Sequence, residues 1–388
     1  MTVRLRALRE TCSQSREQIR PGERLELKYI GLESIEPNTG AFIDGDLSKT
    51  PDDPRAVSFH FDTRHVLYGK LRPYLNKVAV PEFEGKCSTE LVPLLPNERL
   101  DRRYLAYFLR SPSTVQAVVG RTAGSRMPRA DMDFLLGLQI PLPSLGEQHR
   151  IVDLLSRAEG IVRLRREARC KAAELIPALF FDMFGDPASN PKGWPIVDLS
   201  KVSQVISGVA KGRKLDPAQS IELPYMRVAN VKDGYLDLAD IKTIAIKKDE
   251  VEKLLIEPGD LLMTEGGDPD KLGRGALWQD EIPQCVHQNH IFKVRSDRTK
   301  VLPDYLHCLT GSSYGKAYFF RVAKKTTGIA SINKTQLSAF PVVVPPIALQ
   351  HAFAAKTEAI RAIMDQQNAA LEKAQASFDA LLHRAFAH

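Results

Sequence analysis

PLPSLGEQHRI, residues 141–151, returns 202 positions later as VVPPIALQHAF, residues 343–353, and each copy opens a long helical stretch. The copies agree at Pro143 and Pro345, Gln148 and Gln350, and His149 and His351, with Leu145 answered by Ile347. The same offset carries on to Ala178 with Ala380, Leu179 with Leu381 and Phe184 with Phe386. Upstream, Tyr104-Leu105 is answered by Tyr305-Leu306 and Tyr29 by Tyr225, with small shifts that imply loop insertions. The repeat is nearly half the chain, far longer than a solenoid period of roughly 20 to 50 residues. Two globular parts, each followed by a long helix, is the expected plan.

Both helical stretches carry one apolar stripe. Ile151, Leu155, Ala158, Val162, Ala168, Ala172, Leu175, Leu179 and Met183 recur mostly at spacings of three and four in the first, and Phe353, Ile360, Ile363, Leu371, Ala374, Phe378, Leu381 and Ala385 in the second. At 1.5 Å per residue each would be roughly 55 Å long, and a helix of that length with a narrow stripe needs a partner. The other long helix is the simplest one. Gly185 before Asp186-Pro187 stops the first helix, whereas Gly160 and Pro177 inside it should bend or weaken it.

The segments before each helix read as mixed structure. Short β-rich runs bounded by turn residues, such as LKYIGLESI, HVLYGKL, STELVPLL, PYMRVANV, GDLLMTE and HIFKVR, predict strands. Each part then predicts one helix, over residues 104–119 and 305–322, followed by a basic, glycine-containing loop and a proline-ended extended segment. The expected fold class is α+β: two similar mixed α/β globular domains, separated and braced by two long helices forming an antiparallel coiled coil. The boundaries are 1–146 and 186–346 for the globular domains, with 147–185 and 347–388 for the helices.

Composition fits this plan. A chain of 388 residues, 43% of them apolar, can fill two or three cores. Its five cysteines form no CxxC pair, which argues against a disulfide framework and for a reduced, cytoplasmic protein. The N-terminus has no apolar leader and no run of about 18 apolar residues occurs, so a membrane is not an expected partner. A net charge of +7 favours an anionic partner. Both halves are mildly basic, but residues 1–189 use 22 Arg and 6 Lys where residues 190–388 use 8 Arg and 18 Lys, which suits two modules with separate histories.

The duplicated plan, the P-x-L-x-E-Q-x-x-I pattern at Pro143, Leu145, Glu147, Gln148 and Ile151, and the helix exit FFDMFGDPASNPKGW at residues 180–194 together resemble the specificity subunit of type I restriction-modification systems. The resemblance runs over essentially the whole chain. It implies a DNA-binding subunit with two target recognition domains, each reading one half of a split sequence on double-stranded DNA. It also implies paired helices that set the gap between half-sites and dock methyltransferase subunits, two of them, with restriction (translocase/nuclease) subunits as further partners. Cofactors are expected on the partners, S-adenosylmethionine and ATP/Mg, and none on this chain. One departure is that Leu349 stands where the first lead-in has Glu147, removing a carboxylate from the helix N-terminus.

Candidate DNA contacts gather at the same point of each unit. The loop GRTAGSRMPR offers Arg121, Thr122, Ser125, Arg126 and Arg129, and AKKTTGIASINK offers Lys324, Lys325, Thr326, Thr327, Asn333 and Lys334. Short donors on a flexible backbone can approach phosphates closely, and Arg can fork onto guanine O6 and N7. The segment YGKLRPYLNK adds Lys70, Arg72 and Tyr74 at strand-like spacing, and LLMTEGGDPDKLGR is its expected counterpart through Lys271 and Arg274. Asn289 is a candidate adenine reader, since an amide matches adenine N6 and N7.

The spacing of Cys285, His287, His290, His307 and Cys308 fits no standard zinc set. Nor is there a GxxxxGK[ST] run or an Asn-Pro-Pro-aromatic segment, and Glu26-Leu27-Lys28 has no aspartate before it within the chain. The expected role is therefore non-catalytic. The alternatives are a scaffold that does not bind DNA, and a nuclease or methyltransferase with an unrecognised site.

Overall fold

The computed structural model describes residues 4–43, 56–122, 126–268, 272–326 and 328–387. Contacts divide the chain into two units, Met1–Glu167 with Ala369–His388, and Ala168–Asn368. Each is built on the same scheme.

In the first unit Cys12–Gln14, Leu91–Pro96, Val66–Gly69 and Val78–Ala79 form an antiparallel sheet in that spatial order. Val66, Tyr68, Val92 and Leu94 turn their side chains into the core, where Tyr104, Leu105 and Leu109 cover them. A second sheet, Gln18–Ile19, Ser58–Phe61, Gly85–Ser88 and Lys28–Ile30, closes a smaller core around Ile30, Phe61 and Cys87.

The second unit repeats this with Ser203–Ser207, Ile291–Ser296, Leu261–Thr264 and Gly275–Leu277. Lys242–Lys247, Ser220–Met226 and Val286–His287 form its second sheet. In both sheets of this kind one parallel pair, Lys28–Ile30 with Gly85–Ser88 or Tyr225-Met226 with Val286-His287, sits among antiparallel neighbours. Two-stranded pairs join the ends of each unit: Leu5–Ala7 with Gln139–Pro141, and Ile196–Asp198 with Pro341–Val343.

The single helix expected over 104–119 is two, Arg102–Arg110 and Pro112–Val119, and that over 305–322 is also two, Pro303–Gly311 and Ser313–Val322. A serine makes each break. Ser111 and Ser312 are extended, and their hydroxyls accept from Thr114 N and Gly315 N, capping the second helix of each pair. Periodicity runs through such a break, so the caps were the readable signal. Gly315 is obligatory here, because a Cβ would lie 2.1 Å from the Thr310 carbonyl oxygen.

The long helices are Leu145–Phe184 and Ile347–Phe386, 40 residues each and therefore roughly 60 Å long at 1.5 Å per residue. The first runs unbroken through Gly160 and Pro177, contrary to the expected weakening, and ends where Gly185 takes φ 74° and donates to the Phe181 carbonyl at 2.8 Å. The second begins at Ile347 without a carboxylate in its first turn. In the first unit Leu155 and Val162 share a core with Phe378, Leu382 and Phe386, and Arg166 reaches Gln375 at 3.1 Å. In the second unit Phe180 and Phe184 pack on Phe353. Early first helix with late second helix, and the converse, is an antiparallel pairing.

The lead-in glutamines explain why each long helix starts where it does. Gln148 is fully buried; its Oε1 accepts from Asp101 N at 2.9 Å and its Nε2 donates to the Arg99 and Pro143 carbonyls at 2.8 and 3.0 Å. Gln350 repeats the set with Leu302 N, Lys300 O and Pro345 O at 2.8, 3.1 and 2.9 Å. Each glutamine thus satisfies two backbone carbonyls and one backbone N–H at the start of its helix.

His287 is fully buried, with Nδ1 3.0 Å from the Ile291 carbonyl, and burial pushes its pKa down to about 4. Its unfolded value of 6.5 is higher, so the unfolded chain binds the proton first as pH falls. The second unit should therefore lose stability between about pH 6.5 and 4, and His287→Gln should flatten that loss in urea titrations. An unchanged pH slope would show that His287 is not its source.

Candidate nucleic-acid interface

At the exit of Val66–Gly69 the chain leaves its sheet and pairs with the segment after the basic loop. Ala130 N donates to Lys70 O at 2.8 Å, Arg72 N to Pro128 O at 2.7 Å, and Leu71 bridges Arg129 in antiparallel sense. Two sequence candidates 60 residues apart thus share one small ribbon, which carries Lys70, Arg72 and Arg129, with Arg126 in the bend before it. The strand-like reading of residues 70–77 is corrected: the strand stops at Gly69, Arg72 takes a left-handed φ of 51°, and Pro73–Leu75 forms a 3-10 turn. Pro73 cannot continue a ladder, and the turn leaves Tyr74 half exposed. An arginine at positive φ is costly enough that the surrounding bonds must impose it.

Arg121 lies beyond Pro112–Val119 with its guanidinium 5.6 Å from the Phe134 ring, and Thr122 donates its hydroxyl to the Val119 carbonyl. Arg126 is exposed and makes no ion pair among the described residues. Ser125 lies outside the described residues. Arg129 is held by Glu90, which accepts from Nη2 at 2.9 Å and Nε at 3.3 Å and raises the guanidinium pKa.

The second unit builds its ribbon from Gly266–Gly267, Ile329–Ser331 and Lys324–Thr326. Lys324, Lys325 and Thr326 are exposed on its outer strand, with the Lys325 ammonium 3.5 Å from the Phe320 ring centroid. Thr326 donates its hydroxyl to the Ile329 carbonyl, and Thr327 and Lys271 lie outside the described residues. Asn333 caps Lys334–Ser338: its side chain accepts from Gln336 N at 2.9 Å, and Gln336 Oε1 accepts from Asn333 N at 2.8 Å. Lys334, the first residue of that helix, is exposed.

The backbone identifies the true counterparts. Lys70 N donates to Glu90 O at 3.0 Å, as Glu265 N does to His290 O at 3.0 Å, and Ile332 N donates to Glu265 O as Ala130 N does to Lys70 O. Glu265 and Gly267 thus stand where Lys70 and Arg72 stand, which corrects the expectation for Arg274. Arg274 Nε is buried, and its carbonyl accepts from Thr264 N. Asn289 is half-buried and donates its backbone N–H to Val209 O at 2.9 Å. His290 projects outward onto Glu265, Nδ1 to Oε2 2.6 Å, away from the buried His287.

Sequence reading missed Glu90, Glu265 and His290. The signal existed: Glu90 directly precedes Leu91–Pro96 as His290 directly precedes Ile291–Ser296, 200 positions on.

A duplicated α+β plan, with a basic ribbon in each unit and antiparallel helix segments, is the architecture to be compared. Residues 70–169 match the model of the type I restriction modification DNA specificity domain. The chain is 23% identical over 313 residues to the type I restriction enzyme EcoKI specificity subunit of Escherichia coli strain K12, covering 76% of this chain and 66% of that one. Against the StySPI specificity subunit of Salmonella potsdam it is 22% identical over 312 residues, with the same coverage of 76% and 66%. A putative MjaX specificity subunit of Methanocaldococcus jannaschii is 25% identical over 162 residues, 41% of this chain and 37% of the relative. The matches thus span less than two thirds of these curated relatives' own lengths.

In fold, the chain superposes on a chain solved for the complex assembly and conformational transition of a type I R-M system, with TM-score 0.62, 21% identity and coverage of 100% and 99%. The type I restriction-modification S subunit from M. genitalium gives 0.58 at 14% identity, covering 100% and 97%. The chain is thus similar in sequence and fold to specificity subunits of type I restriction-modification systems.

Proposed function

We propose that this chain is the non-catalytic DNA sequence-recognition subunit of a type I restriction-modification enzyme. Residues 1–146 read one half of a bipartite target and residues 186–346 the other. The helical segments 147–185 and 347–388 set the gap and dock two methyltransferase subunits, which supply S-adenosylmethionine, while translocase/nuclease subunits bring ATP and Mg. The assembly works on cytoplasmic double-stranded DNA.

One observation carries the reading: each duplicated unit places an exposed basic ribbon at the same exit of its main sheet. A protein scaffold has no need to repeat cations there, whereas a reader of two half-sites does.

Co-expression with the neighbouring methyltransferase, followed by mapping of methylated positions on a plasmid, tests it. A split motif should appear whose halves follow exchange of residues 1–146 or 186–346. Methylation that ignores this chain rejects the proposal. Binding should also fall with salt at a log-log slope of several units, and Arg126→Glu or Lys325→Glu should each lower that slope by about one unit or more. Unchanged slopes in both would remove these residues from the phosphate contacts.

A further inference from the structure

In each unit the residue before the central strand holds a side chain of the neighbouring ribbon: Glu90 holds Arg129 in the first, and His290 meets Glu265 in the second. In the first unit the residue before the central strand is the acid, Glu90, and Arg129 on the returning ribbon is the base. In the second the residue before the central strand is the base, His290, and Glu265 on the outgoing ribbon is the acid. The backbone bonds that establish the equivalence are Lys70 N to Glu90 O and Glu265 N to His290 O.

These pairs are too exposed to matter much for stability. Side-chain exposure is 46% for Arg129 and 27% for Glu90, and 55% for His290 and 32% for Glu265, and solvent screens pairs this exposed. Their effect is on orientation. Glu90 takes the Nε and Nη2 edge of Arg129, so the guanidinium plane is fixed and the Nη1/Nη2 end of the fork faces away from the carboxylate. Glu265 likewise takes His290 Nδ1, and Nε2 has no bond among the described residues. A side chain already held in one pose gives up less rotamer freedom on binding.

Charge decides what such a side chain can meet. A carboxylate beside a donor weakens any contact of that donor with phosphate, because the two anions repel, whereas base edges are neutral and present N7, O6 and amino groups. Arg126 and Lys325, which have no ion pair among the described residues, suit phosphates. Arg129 and His290 do not.

Resting on the recognition reading above, we propose that this shared place is where each unit reads a base pair: Arg129 meets a G·C pair of one half-site, His290 meets a pair of the other, and Glu90 and Glu265 are their positioning residues. A guanidinium presented end-on matches guanine O6 and N7, which assigns the G·C preference to the first unit.

The test is selection of the full-length chain on a randomised duplex library, with salt titrations on the winning sequence. Arg129→Ala and Glu90→Gln should relax the same G·C position of one half-site, by on the order of ten-fold in relative preference, with the salt slope unchanged. His290→Ala and Glu265→Gln should relax one position of the other half-site in the same way. Glu90→Asp, which keeps the carboxylate, should restore part of the preference lost in Glu90→Gln; a general structural defect would not respond so. Wild-type protein with a split preference that all four substitutions leave intact overturns this assignment alone. Loss spread evenly over a half-site also overturns it, since the pair would then act on folding or phosphate. Wild-type protein with no base preference overturns the recognition reading beneath it.

Discussion

Gln350→Leu should destabilise the second unit by at least about 3 kcal/mol, and Gln148→Leu should do the same to the first. Each substitution keeps volume and removes polarity, so the cost falls on what remains behind. Leucine in place of Gln350 leaves the Leu302 N–H and the Lys300 and Pro345 carbonyls without their partner, in a site with no solvent access at the side chain. An unsatisfied buried group costs about 1 to 3 kcal/mol, and three such groups exceed the hydrophobic gain of one leucine. The Leu302 amide gives a local readout: its hydrogen exchange should accelerate in Gln350→Leu and hold in Gln148→Leu, with the Asp101 amide showing the reverse. A loss under about 1 kcal/mol in both variants would mean that water replaces the amide in these sites.

These glutamines also mark how far the sequence could be read. Gln148 and Gln350 sit in the repeat that exposes the duplication, and their burial follows from the same feature: a polar residue on the apolar side of a helix start must be satisfied by backbone nearby. The long helices were legible because a 3.6-residue stripe is local and their exit at Gly185 is a backbone signal. Strand partners were not, since nothing within residues 66–71 says that they pair with residues 78–79 and 91–94 and then with 128–130.

For that reason the ribbon's members were found but its geometry was missed. Lys70 and Arg72 belong to a strand-like segment and Arg129 to a loop in the sequence, and they meet only through a long-range bridge. In the second unit, matching basic residue to basic residue points to Arg274. The backbone puts Glu265 there instead. The residue before the central strand is an acid in one unit and a histidine in the other, and a match of like residues passes over that change.

Phe184→Ala and Phe386→Ala should each cost about 3 to 5 kcal/mol, in the second and first unit respectively, as expected for emptying a buried aromatic site. The two residues close their helices 202 positions apart and meet equivalent tyrosines: Phe184 lies 4.7 Å from Tyr305 and Phe386 5.0 Å from Tyr104, centroid to centroid. Each tyrosine is anchored by donating its hydroxyl to a carbonyl, Val343 O at 2.7 Å and Pro141 O at 3.0 Å, so neither ring can follow a receding neighbour to fill the space. Phe184 also contacts Phe180, Phe353 and Trp194, whereas Phe386 has Phe108 as its other ring partner. Its cavity is lined by fewer rings and should collapse further, which places Phe386→Ala at the lower end of the range. Phe181, 41% exposed on the same helix, is the control, with an expected loss below about 1 kcal/mol on alanine substitution. Urea midpoints of the full chain test the order. If Phe181→Ala matches Phe184→Ala, the aromatic cluster is not what fastens the first long helix to the second unit. The functional corollary is directional: Phe386→Ala should erode preference at the half-site read by residues 1–146 and leave the other half of the motif intact.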